Sequence, residues 1–207
     1  MMNIERICTG NVSENCFLVK SSGKLFIIDP GADAEKIINR IEEKKCADLD
    51  IEVLFTHAHA DHIGAAGMLA KRFPQAVFYL DSKDVPIYKS EDNAFPPYIP
   101  LSVDLPETCN YRTCEEYKVI ACPGHTPGGV AILFSEDGVQ HLFSGDTLFA
   151  GSVGRTDFAG GSMTELKKTL AKLVSTLDDD VVVHPGHGPD TTIGNEKRNN
   201  FYLADIV

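Results

Sequence analysis

Short apolar runs bounded by turn residues alternate along the chain with segments whose apolar positions recur at helical spacing. Residues 16–19 (CFLV) and 25–28 (LFII) read as strands joined by the turn Ser21-Ser22-Gly23-Lys24, which makes them a hairpin. Asp29-Pro30-Gly31 stops the second strand. Residues 34–45 carry Ile37, Ile38 and Ile41 at helical spacing and predict an amphipathic helix. Residues 51–55 are an apolar run of buried-strand type. Residues 63–72, rich in Ala, Met and Leu, predict a helix, and residues 76–80 a strand. From 81 to 116 the pattern dissolves, because Pro86, Pro96, Pro97, Pro100 and Pro106 break any regular element. Connections of this length in compact domains are commonly functional loops. This one carries Tyr88, Phe95, Tyr98 and Tyr111, apolar material with which to pack down as a lid or substrate loop.

Regularity then returns. Residues 117–121, 130–135 and 139–143 predict strands, the last two joined by Glu136-Asp137-Gly138. Residues 162–177 predict the strongest helix of the chain. Ser162 and Glu165 form a capping box, and Leu166, Leu170, Leu173 and Leu177 line one face. Residues 181–183 are a final strand. Two halves of similar make-up suggest an α/β domain over residues 1–207, with two sheets face to face and helices outside.

Composition leaves this picture intact and narrows the function. Hydrophobic residues are 43% and charged residues 24% of 207, which is neither a disordered nor a fibrous chain. No apolar run approaches the ~20 residues that span a bilayer. The start, MMNIERICTG, has no signal-peptide core, so a soluble cytoplasmic protein is expected. The 19 Lys and Arg against 30 Asp and Glu give a net charge of −11, which disfavours nucleic acid as a partner. The six cysteines contain no CxxC pair and are expected as reduced thiols, although Cys109 and Cys114 are near enough in sequence to pair.

The candidate chemistry lies at strand ends. His57, His59, Asp61 and His62 occur in THAHADH, directly after a buried strand and before a helix. Alternation on extended chain points His57 and His59 the same way, and Asp61 and His62 then turn into the helix. Imidazole nitrogens and carboxylate oxygens are ligands that a zinc-like ion prefers. Three further glycine-rich turns follow strands: Pro123-Gly124-His125-Thr126-Pro127-Gly128, Ser144-Gly145-Asp146-Thr147 and Pro185-Gly186-His187-Gly188-Pro189. Glycine permits tight turns and close approach of backbone to a ligand. Together, four strand ends deliver five histidines and two aspartates. His141 and His184 stand outside this set and read as structural.

These motifs, HxHxDH followed by GHTPG, GDTLF and PGHGP, resemble the metallo-β-lactamase-fold hydrolases, and most of all the short glyoxalase II-like proteins. The resemblance runs from Asn15 to Phe201. It implies a four-layer αβ/βα sandwich of two mixed sheets with a metal site between them. It implies His57, His59 and His125 as ligands of a first metal, Asp61, His62 and His187 as ligands of a second, and Asp146 as the bridging carboxylate. The expected cofactors are two divalent transition-metal ions, zinc first, with iron or manganese as alternatives. Two such ions about 3.5–4 Å apart share a hydroxide whose parent water has a pKa near 7. Asp61 is expected to orient that nucleophile. A thioester suits such a centre, because thiolate is a good leaving group and binds zinc.

Asp29, Thr56 and Thr126 are candidates for holding the ligand histidines in place. Arg155 matches a basic residue that contacts the thiol moiety in glyoxalase II proteins, or else braces its loop against Asp157. No counterpart of the helical extension with which full-length glyoxalase II proteins help bind glutathione is expected after His187. The segment 81–116 and the Arg155 loop are therefore expected to select a small-molecule substrate. An iron-dependent persulfide dioxygenase, using His57, His125 and Asp146, is the alternative function. Lactonase, β-lactamase or an inactive metal-binding protein are further ones.

Overall fold

The computed structural model describes residues 2–204. The first sheet follows the chain order β1 (Asn3–Thr9), β2 (Glu14–Ser21), β3 (Lys24–Ile28), β4 (Asp50–Leu54) and β5 (Val77–Tyr79). Its first two pairings are antiparallel and its last two parallel. The turn between β2 and β3 places Ser22 and Gly23 at positive φ, as a tight hairpin requires. Helices α1 (Ala34–Glu43) and α3 (Ala66–Arg72) cover the outer face, with the short α2 (Ala60–Ile63) ahead of α3. The helix expected over 63–72 is thus two pieces. The Ala65 N–H turns away to donate to the Pro30 carbonyl at 2.9 Å, a tertiary contact that no periodicity reveals.

The segment 81–116 forms one short helix, α4 (Val85–Tyr88), a 3-10 turn at Glu91–Asn93 and otherwise irregular chain. Its end runs beside β5, where Cys109 exchanges backbone bonds with Phe78 and Leu80 at 2.8 and 3.0 Å. All six cysteines are free, so Cys109 and Cys114 form no bridge.

The second sheet comprises β6 (Tyr117–Ala121), β7 (Val130–Glu136), β8 (Val139–Gly145), β11 (Val182–Pro185) and β12 (Thr191–Thr192), in the order β12-β11-β8-β7-β6. The β11–β8 pairing is parallel and the others antiparallel. A small hairpin, β9 (Leu148–Phe149) with β10 (Ser152–Val153), lies between. Helix α5 (Met163–Thr176) buries Leu166, Leu170 and Leu173 against the sheet, and the Ser162 hydroxyl accepts from the Glu165 N–H at 3.3 Å. Helix α6 (Ile193–Asn199) follows, capped by Thr192. Sequence reading missed β1, β9, β10, β12 and α6. These are short or edge elements, whose sparse apolar positions give little periodic signal.

Alternation along the strands builds three cores. Cys16, Leu18, Leu25 and Ile27 face the helices of the first half, whereas Phe17, Val19, Phe26 and Ile28 face inward. There they meet Ile132, Phe134 and Phe143 of the second sheet. Phe26 and Phe134 pack edge to face with centroids 5.2 Å apart. A third core lies under α5. The result is the expected αβ/βα sandwich, two mixed sheets with helices outside. Among the described residues no helix is long and apolar enough to cross a membrane.

Candidate metal centre

Loops leaving one edge of the two sheets converge on one point. The loop after β4 brings His57 and His59, and α2 brings Asp61 and His62. The loops after β6, β8 and β11 bring His125, Asp146 and His187. Ligating atoms of His57, His59 and His125 lie within 4.8 Å of one another, and so do those of Asp61, His62 and His187. Asp146 stands between the clusters. Its Oδ1 is 3.4 Å from His62 Nε2, and its Oδ2 is 3.6 and 3.7 Å from the Nε2 atoms of His125 and His187. Asp61 Oδ2 is 3.3 Å from His187 Nε2. All seven residues expected as ligands are therefore brought together.

Hydrogen bonds fix how the rings present themselves. His62 donates Nδ1–H to Asp29 at 3.0 Å, His125 to the Arg155 carbonyl at 2.7 Å, and His187 to the Val12 carbonyl at 3.2 Å. Thr56 gives its hydroxyl proton to Asp29 at 2.5 Å and accepts from His57 Nδ1 at 3.0 Å. Each of these four rings thus turns its Nε2 inward. His59 instead points Nδ1 inward, 2.9 Å from His125 Nε2. Asp29 also accepts the Thr56 N–H at 2.7 Å, and itself sits at φ 48°, so a tight turn aims its carboxylate at the ligand loop. Gly186 is a place where only glycine fits. A methyl group there would lie 2.5 Å from Asp146 Oδ1 and 2.7 Å from His62 Cε1.

Electrostatics differ between the clusters. Burial, reinforced by neighbouring imidazoles, drives the His57 pKa well down and takes that of His59 to about 3. Burial works against the charged form of His62 as well, yet Asp146, Asp61 and Asp29 overcome it and raise its pKa well above the ordinary value. For Asp146, burial is opposed by His62 and His125, and its pKa falls well below the carboxylate range.

His57 Nε2, His62 Nε2 and Asp146 Oδ1 are buried and have no hydrogen-bond partner. Orphaned polar atoms of this kind are costly, by roughly 1–3 kcal/mol each, unless something binds them. The three come from both clusters and from the aspartate between them, and all are ligand atoms that fit a cation. The profile of the metallo-beta-lactamase superfamily matches residues 9–187. The chain belongs to the metallo-beta-lactamase superfamily. Within the superfamily it is 37% identical to hydroxyacylglutathione hydrolase GloC of Haemophilus influenzae, over 98% of each chain. It is also similar to the crystal structure of TTHA1623 in a di-iron-bound form, with TM-score 0.85, 36% identity and 96% and 100% of the two chains covered. A third likeness is to ETHE1 from Myxococcus xanthus, with TM-score 0.72, 27% identity and 98% and 85% covered.

Other expected residues fall close by. Thr126 donates its hydroxyl to Asp84 at 2.8 Å, and not to a ligand ring. Arg155 reaches the pocket but is held by Asp157 through two bonds of 2.7 and 2.6 Å. His141 and His184 pair with each other at 3.0 Å, apart from the metal cluster. Sequence reading missed two buried carboxylates. Glu14 Oε1 lies 4.0 Å from His62 Nδ1. Asp84 accepts from Ala58 N–H at 3.1 Å and Gly128 N–H at 2.5 Å, and so ties both ligand loops to the 81–116 segment. Neither sits in a motif, and only their partners' distant positions give them meaning.

Proposed function

We propose that this superfamily member is a hydrolase of thioesters, of the S-2-hydroxyacylglutathione type or a related one. It acts on a small molecule in the cytoplasm and depends on two divalent transition-metal ions. The observation that carries this is the bridged arrangement, in which Asp146 stands between a three-histidine cluster and an Asp/His/His cluster, with His57 Nε2, His62 Nε2 and Asp146 Oδ1 buried and without partners. His57, His59 and His125 would hold one ion and Asp61, His62 and His187 the other, with Asp146 shared. Zinc is the first expectation, and the di-iron form of TTHA1623 makes iron an equal arm of the test. When bound, such ions acidify water and act as Lewis acids toward carbonyl oxygen and departing thiolate.

The chain's own residues do the rest. Asp61, which lines the cavity with Oδ2 3.3 Å from His187 Nε2, would accept a hydrogen bond from the attacking water and aim it. Asp29 and Thr56 hold His57 and His62 in their tautomers. Phe158 packs edge-on against His59 with centroids 4.8 Å apart and shields that side of the site from solvent. In the overall change, a C–O bond forms, the C–S bond breaks, and an acid and a thiol leave with the protons of the water. The name of the Haemophilus influenzae relative supports the glutathione form of this reaction.

Metal analysis coupled to hydrolysis of S-lactoylglutathione, other thioesters, a lactone and a β-lactam tests the proposal. Bound metal with thioester turnover is expected. The likeness to ETHE1 and the His57, His125, Asp146 grouping keep an iron-dependent persulfide dioxygenase as a second reading. Persulfide-dependent oxygen uptake without thioester cleavage would decide for it.

A further inference from the structure

A cavity of about 390 Å³ opens over the metal cluster, floored by His59, Asp61, His125, Asp146 and His187. Its walls are unlike its floor. Phe158 packs edge-on against His59 and His125, Phe95 packs edge-on against Phe158 at 5.1 Å, and Tyr98 stacks on Phe95 at 5.8 Å. A continuous line of rings therefore leads from the ligand histidines to the mouth. Phe95 and Tyr98 come from the 81–116 segment, where backbone bonds between Phe95 and Ile99 at 2.9 and 2.8 Å hold them in a tight reversal. Phe149 lies on the opposite side, beside His187.

Among the described residues lining this cavity, Arg155 is the one Lys or Arg. Its guanidinium is already engaged. Asp157 takes it by two parallel bonds, and the rings of Phe158 and Phe95 cover it at 4.4 and 4.9 Å. Both side chains are exposed, yet the bidentate geometry and the two flanking rings hold this surface pair better than a single-contact one. A substrate carboxylate would have to compete with Asp157 for this guanidinium, in a protein of net charge −11. An apolar ring meets no such competition and gains edge-to-face contacts.

We propose that the site takes thioesters that carry an apolar ring beside the scissile carbonyl, seated against Phe95 and Phe158, and that these two residues set the preference. This rests on the thioester function proposed above. The ring could belong to the acyl or the thiol half, and the test separates the two. With the metal-loaded protein, kcat/KM is measured for S-lactoylglutathione, for S-mandeloylglutathione (ring on the acyl half) and for the S-phenyl thioester of lactate (ring on the thiol half). One ring-bearing substrate should exceed S-lactoylglutathione by about tenfold or more. F95L and F158L, which keep apolar bulk but remove the ring, should bring that ratio toward one. D157N, which frees Arg155, should favour S-lactoylglutathione and narrow the ratio from the other side. Equal use of all three substrates, or a ratio unmoved by F95L and F158L, overturns the ring preference and leaves thioester hydrolysis standing. If no thioester is cleaved, the proposed function falls instead. Calorimetric titration with mandelate and lactate then judges the slot alone, with tighter mandelate binding, weakened by F95L, expected and equal binding overturning it.

Discussion

The Nδ1–H groups of His57, His62, His125 and His187 are each held by an oxygen acceptor, which leaves Nε2 as the atom each ring can offer an ion. His59→Ala or Asp146→Ala should abolish hydrolysis and lower metal content, and full activity in either variant would refute the ligand assignment. Asp84 offers a different test. Burial pushes its carboxyl pKa above 3.8, although Thr126, Gly128 and Ala58 all donate to it. The folded protein therefore binds this proton more tightly than the unfolded chain, and the associated stability falls as pH rises from 3.8 through the raised value. D84N cannot accept from all three donors and should cost about 1–3 kcal/mol. Denaturant titrations of the variant and parent should show the deficit largest at the acid end and narrowing as pH climbs.

The seven ligand positions were legible because histidine and aspartate after buried strands form motifs. Asp84, Glu14 and Phe158 were not, because each acquires its role from partners far along the chain. Arg155 was legible as a cation near the site. Its capture by Asp157 stood in the sequence only as one of two alternatives.

At the level of elements, α5 shows how a distant helix supports a ligand. Gly124, next to His125, has φ 145°, and a methyl group there would lie 2.4 Å from Leu166 Cα. The GHTPG loop can lie down only because that position is bare. G124A should loosen the packing of α5 and lower metal affinity together, as read by thermal denaturation and metal titration. S162A removes only the cap and should cost about 1 kcal/mol with the metal site unchanged. The helix itself was plain in the sequence from its cap and leucine spacing. The break near Gly64 was not, since the Pro30 carbonyl that captures the Ala65 N–H comes from another loop.

For the whole molecule, four expected ligands come from the first half of the sandwich and three from the second. The two halves meet again at backbone level near the site, where Val130 N–H donates to the Thr56 carbonyl at 2.8 Å. Ions that bind only the folded state add stability by mass action, about 2.7 kcal/mol at one hundred times Kd. Chelation should therefore lower Tm by the order of 5–10 °C for a domain of this size, and re-addition of metal should restore it. The two-sheet plan was legible from the repeated strand pattern and confirmed by the shared core around Phe26 and Phe134. The pairing of strands across that plan was not, since register depends on contacts that no local window contains.

Asn15 donates its N–H to the Gly186 carbonyl at 2.8 Å, and its side-chain amide to the carbonyls of Pro185 and Gly188 at 3.0 and 2.9 Å. The start of the chain is thereby tied to the loop that holds His187. On a ribosome, where residues emerge in order, the first sheet could gather His57, His59, Asp61 and His62 early. The opposing half of the cage would be complete only once residue 188 had left the exit tunnel. A chain that lacked this loop would hold a partial ligand set without the means to close it.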